Sequence, residues 1–198
     1  GLKPASHKGC LSAFCGHAPS RLAGFRPQGL SNTAYALGLL AYRHDAFLWA
    51  FCGHAEARLS DFKPQHISNT VYALGLLAFR HEGFLQAICE HALPRLSEFS
   101  PQNISNTVYA LSLLEFVHNG FLEEVCVHTP ARLSTFSSQH ISNIVYAFGQ
   151  LRYRHGAFLC SIHAHIPARL PEFTPQHISN ITHALALLTT QYSRLAHR

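Results

Sequence analysis

The tripeptides Cys15-Gly-His17, Cys52-Gly-His54, Cys89-Glu-His91 and Cys126-Val-His128 pair thiols with imidazoles, the donor types of a zinc site. Their spacing argues against one. On a helix, residues two apart point ~200° away from each other, so a single Cys-x-His cannot close on one ion. Ligands would have to converge from several repeats, and neither a metal nor any other cofactor is expected. No nucleophile and base stand at a spacing that would bring them together, and the ten acidic residues include no pair suited to acid–base work. P-loop and GxGxxG patterns are absent. The expectation is a binding protein, not an enzyme.

The same residues expose the architecture. Phe25, Phe62, Phe99, Phe136 and Phe173 are spaced by a constant 37 residues, as are Ser31-Asn32, Ser68-Asn69, Ser105-Asn106, Ser142-Asn143 and Ser179-Asn180. A fixed period in this range is the mark of a solenoid, in which each unit buries its apolar face on its neighbours. The expected fold is all-α: an α-solenoid of 37-residue helix–turn–helix repeats with about ten helices in one continuous stack. Its units are a partial repeat 1–24, repeats 25–61, 62–98, 99–135 and 136–172, and a partial terminal repeat 173–198. The chain begins at Gly1 and holds no Met, which reads as part of a longer or processed protein.

Composition agrees. The chain is 47% hydrophobic and 13% charged, against a charged fraction of about 25% in ordinary domains. A net charge of +5 is a mild basic bias, compatible with RNA. No apolar run reaches the length of a membrane span. Cys15, Cys52, Cys89 and Cys126 share one repeat position and read as small buried hydrophobes in a reducing compartment; Cys10 and Cys160 complete the six.

Helix A of each repeat starts at Pro27, Pro64, Pro101, Ser138 or Pro175, where a lost N–H costs nothing. Ser100, Ser137 and Thr174 suit the cap before it; Arg26 and Lys63 do not. In the second repeat helix A is expected to reach about Phe79. The turn then falls at His81-Glu82-Gly83, as at His118-Asn119-Gly120, with His44, His81, His118 and His155 capping the end of helix A. Helix B is expected from about Phe84 to Leu96, kinked or ended early by Pro94, Pro130 and Pro167 in their repeats. His7 matches His44, so the chain opens on a B helix. After Leu188 the pattern decays, with Tyr192 in place of the turn His and Leu195 in place of the Phe.

On a helical wheel Ile67, Val71, Leu74 and Ala78 form the stripe facing helix B, and Ser68 and Gly75 a small-residue lane. Gln65, Asn69, Tyr72 and Leu76 fall on the opposite line. Equal repeats align the A-helix N-termini in a row, a track for phosphates. Beside it stand Gln28, Gln65, Gln102, Gln139 and Gln176, and one turn on Asn32, Asn69, Asn106, Asn143 and Asn180, amides able to read base edges. The Asn row has an equal alternative, an inter-repeat hydrogen-bond ladder. Slots that vary between repeats are the better readers: Gly29, His66, Asn103, His140 and His177 after the Gln; Thr33, Thr70, Thr107, Ile144 and Ile181 after the Asn; Arg26, Lys63, Ser100, Ser137 and Thr174 at the cap. Tyr35, Tyr72, Tyr109 and Tyr146 could stack on bases, although such a ladder is more often core.

The segments FKPQHISNTVYALGLLAF, FSPQNISNTVYALSLLEF and FTPQHISNITHALALL resemble the heptatricopeptide and octotricopeptide repeats of organellar RNA-binding proteins, some of which end in a RAP domain. The likeness runs from about Arg21 to Leu188, and its most specific phrase is Pro-Gln-x-Ile/Leu-Ser-Asn. No RAP-like segment is present. The resemblance implies binding of single-stranded or ribosomal RNA in mitochondria or plastids, in transcript stability, processing, translation or ribosome assembly, with roughly one base per repeat. The residues expected to meet RNA, from the row of helix starts and amides, are Arg26, Gln28 and Asn32; Lys63, Gln65, His66 and Asn69; Gln102, Asn103 and Asn106; Gln139, His140 and Asn143; and Gln176, His177 and Asn180. The rival expectation is a scaffold that binds other proteins of an organellar ribonucleoprotein or membrane complex without touching RNA.

Overall fold

The computed structural model describes the backbone of residues 4–195 and the side chains of residues 8–189. Ten α-helices and no strand lie within them. The A helices are α2 (Pro27–Leu39), α4 (Pro64–Leu76), α6 (Pro101–Leu113), α8 (Ser138–Gln150) and α10 (Pro175–Leu195). The B helices are α1 (Pro4–His17), α3 (Asp45–Glu56), α5 (Glu82–Ala92), α7 (Asn119–His128) and α9 (Gly156–His165). The all-α solenoid is the observed fold, with the chain opening on a B helix. His7, however, lies inside α1 rather than at its cap.

The prolines act as expected. In the later repeats the B helix ends at Ala92, His128 or His165, and the chain continues as the 3₁₀ segments Leu93–Glu98, Pro130–Thr135 and Pro167–Glu172. Each segment delivers a buried Phe to the core: Phe99 is fully buried, Phe136 is 1% exposed and Phe173 7%.

The A helices pack directly on one another along the small-residue lane. A Cβ built on Gly75 would lie 3.2 Å from Ala110 Cα, and one on Gly149 only 2.6 Å from Ala184 Cα. At Gly149 the approach leaves room for a hydrogen atom alone, whereas at Gly75 a Cβ would need only a few tenths of an ångström more, and the third repeat carries Ser112 at this position. Ser31, Ser68, Ser105 and Ser142 continue the lane, fully buried.

The A–B turn differs from the sequence expectation. Helix α4 stops at Leu76, and Ala78 adopts a left-handed φ of 48°. Phe79 N–H then donates to the Leu74 carbonyl and Ala78 N–H to that of Gly75, which closes the helix as a Schellman motif. Ala41, Glu115 and Arg152 repeat the conformation, and no glycine among the described residues does. Ala78 is therefore exposed beyond the helix, not part of its packing stripe, whereas Ile67, Val71 and Leu74 are fully buried as expected. The turn ends before Glu82, and Gly83 and Gly120 lie inside B helices.

The turn histidines cap the other helix. Nδ1 of His44, His81, His118 and His155 accepts the N–H of Phe47, Phe84, Phe121 and Phe158, the third residue of each B helix. A ring with a free lone pair there replaces the usual Ser or Asp oxygen.

At the C-terminal end α10 runs unbroken through Leu195, with no turn near Leu188. The side chains of Tyr192 and Leu195, where the repeat pattern decays, lie outside the described ones.

Candidate nucleic-acid interface

Each A helix turns one line of residues away from its neighbours. In α4 that line is Gln65, Asn69, Tyr72 and Leu76, each exposed or half-buried. The tyrosines of successive repeats form a ladder with ring centroids 6.3 Å apart for Tyr35–Tyr72, 6.4 Å for Tyr72–Tyr109 and 6.2 Å for Tyr109–Tyr146; His183 takes the next place at 6.4 Å. These tyrosines are half-buried, not core. Burial, and then the neighbouring Tyr146 and Tyr72, raise the Tyr109 pKa, so that this ring stays a neutral phenol.

The amides beside the ladder are free. Among the described residues, the side chains of Gln28, Gln65, Gln102 and Gln139, and of Asn32, Asn69, Asn106 and Asn143, bond to no group of the chain. The inter-repeat Asn ladder is therefore not formed. Only the last rung closes on itself, with Gln176 Nε2 donating to Asn180 Oδ1 at 2.8 Å.

The variable slots are occupied otherwise. Thr70 and Thr107 are fully buried and Ile144 is 1% exposed, so these positions cannot meet a ligand. The third residue of the A helix is its own cap: His66, His140 and His177 through Nδ1, and Asn103 through Oδ1, accept the backbone N–H of Lys63, Ser137, Thr174 and Ser100 at 3.2–3.3 Å. Asn103 also spends its Nδ2 on Ser68 Oγ at 3.0 Å. Ser100, Ser137 and Thr174 return the bond through their hydroxyls, completing reciprocal caps. Lys63 has no acceptor to offer. Burial lowers the pKa of His66, helped by Lys63, and of His140; neutral rings fit their role as acceptors. These caps also use the third N–H of the helix, and proline lacks the first. The row of free N–H groups is thus narrower than the sequence implied.

Charge is segregated between the layers. Helices α2, α4, α6 and α8 contain no Asp, Glu, Lys or Arg. All ten acidic residues lie on B helices, 3₁₀ segments or turns. At the A-helix N-termini stand the exposed Arg26 and Lys63. Arg26, Gln28 and Asn32 line one open notch of about 480 Å³ with Gly29, whose missing side chain leaves it open. A larger cavity of about 770 Å³, between α1 and the end of α2, contains none of the expected binding residues.

Much of the basic charge serves the fold instead. Arg58, Arg95, Arg132 and Arg169 each donate to the carbonyl of a Phe one repeat back, namely Phe25, Phe62, Phe99 and Phe136, at 2.8–3.0 Å. Each also meets Nε2 of the histidine four residues earlier, His54, His91, His128 or His165. That is the place of the histidine in Cys-x-His. Its cysteine is buried in the core, with the Cys89 thiol pushed up to about 12 by burial and by Glu90. Arg43 and Arg80 likewise bind the turn carbonyls of the following repeat, Ala78 and Glu115. Sequence reasoning missed these arginines, although they recur at the repeat period with a His four residues before.

Fold and surface together define an α-solenoid repeat protein with one uncharged face of free amides and phenols. The family model for the N-terminal domain of the Tbc2 translation factor matches residues 5–190. The chain belongs to that family. No curated protein matches it. Among the described residues no helix is long and apolar enough to cross a membrane.

Proposed function

We propose that this chain is a non-catalytic RNA-binding solenoid that serves translation in a mitochondrion or plastid, holding single-stranded or ribosomal RNA across the A-helix face. The observation that carries the reading is the row of unbonded Gln and Asn side chains beside a tyrosine ladder, on helices without an acidic group. Free amides offer donor and acceptor together, rings at a regular spacing offer stacking platforms, and carboxylates that would repel phosphates are confined to the other layer. Membership of a translation-factor family and the heptatricopeptide/octotricopeptide likeness both support RNA or ribosome-related partners.

A protein scaffold is the second reading. Leu39, Leu76 and Leu113, which are 63%, 37% and 38% exposed, continue the same face and would suit a partner peptide. Photo-crosslinking from native extract separates the two. A crosslinker placed at Gln65 yields RNA adducts under the first reading; protein adducts alone reject it and establish the scaffold.

A further inference from the structure

We infer that the A-helix face reads a single-stranded tract of like bases, four nucleotides long. The inference deepens the RNA reading and rests on it.

Most positions that differ between repeats are withdrawn from the surface or engaged in a cap, and the exposed Arg26 and Lys63 stand before the helices, placed for phosphates and not for bases. Thr70, Thr107, Ile144 and Ile181 are buried and Thr33 is half-buried, and His66 and Asn103 are tied to the backbone before them. The amides and phenols left outward are the same in each of four repeats, a free Gln, a free Asn and a tyrosine, as in Gln65, Asn69 and Tyr72; only the next place on the line varies, as Leu39, Leu76, Leu113 and Gln150. Identical rungs present identical hydrogen-bonding groups, so they favour the same base at each step. The fifth rung differs, because Gln176 and Asn180 bond each other and His183 replaces the tyrosine.

The spacing admits one base per rung. Adjacent rings lie 6.2–6.4 Å apart, against roughly 3.4 Å per nucleotide on a stacked strand. The four phenols bound three gaps, and Tyr146 with His183 a fourth; a base in each needs about twice that stacking distance, a few tenths of an ångström more than the ladder already has, and the rings, tilted by 31–38° to one another, must level to take it.

The test uses the whole 198-residue chain and labelled oligoribonucleotides of equal length: three homopolymers (A, C and U), mixed sequences of the same composition, and tracts of two to six like bases in mixed flanks. The expected result is one homopolymer bound at least about tenfold more tightly than mixed sequence, with affinity rising to a plateau at a tract of four. A single interruption costs about tenfold at any of the four positions. Asn106→Asp, and independently Gln102→Glu, should change the preferred base at the third position alone. Equal binding of all sequences, or a plateau at two, overturns this inference and leaves the RNA reading standing. No binding to any RNA at low salt overturns both.

Discussion

Salt dependence is the sharpest consequence of a face whose helices lack charge. For single-stranded nucleic acid, log affinity falls with log salt at a slope of about −0.7 per phosphate neutralised. The exposed cations at the A-helix starts are Arg26 and Lys63. Two contacts give a slope near −1.4, so a fourfold rise in salt weakens RNA binding only about sevenfold. If the seven arginines bonded to backbone carbonyls were instead available to phosphates, the slope would approach about −6 and the loss would exceed a thousandfold. The assay is fluorescence anisotropy with a labelled single strand over a potassium chloride series. The double variant Arg26→Gln/Lys63→Gln should flatten the plot to near zero while leaving most of the low-salt affinity, which comes from stacking and amide contacts. A steep slope in the parent chain, or an unchanged slope in the double variant, would refute the assignment of RNA to this face.

Three further outcomes follow from the fold. Arg95→Ala removes the bond to the Phe62 carbonyl and the contact with His91; denaturant unfolding should show a loss of about 1–3 kcal/mol, and no loss would mean that the arginine rungs do not tie the repeats. Ala78→Gly relieves a φ of 48°, a strain of about 1–2 kcal/mol partly offset by the freer unfolded chain, so thermal unfolding should shift upward. The pKa values of His66, His91 and His140 are lowered from 6.5, chiefly by burial. The unfolded chain thus binds more protons than the folded one, and their contribution to stability is complete above pH 6.5 and lost as pH falls through the lower folded values. Unfolding midpoints at constant denaturant should drop on acidification through that window, and a flat profile would contradict the acceptor roles of these rings.

Much of the architecture can be read from one repeat laid over the next. The constant 37-residue spacing fixes a solenoid because identical units can bury their apolar faces only on their own kind. Proline and Ser/Thr positions mark the A-helix starts within a residue, since N-terminal capping is local chemistry. The Gly75 lane is legible because close backbones admit only small residues.

The contacts between repeats are decided elsewhere. His44 and His81 look equally able to end one helix or begin the next, and the direction depends on which backbone group the folded chain leaves within reach of Nδ1. The C-terminal turn of α2, α4, α6 and α8 is set by a left-handed Ala, Glu or Arg, residues with no local preference for that conformation. Arg95 reads as a free cation until the preceding repeat places a carbonyl beside it. Asn69 and Asn103 are the same residue type a few positions apart in their repeats, yet one is free and the other fully engaged. The sequence alone determines the repeat, the helix starts and the apolar stripes, because these follow from neighbours along the chain. Which amides face outward unbonded, and which charges are already spent, depends on groups one repeat away, and only the stacked structure settles them.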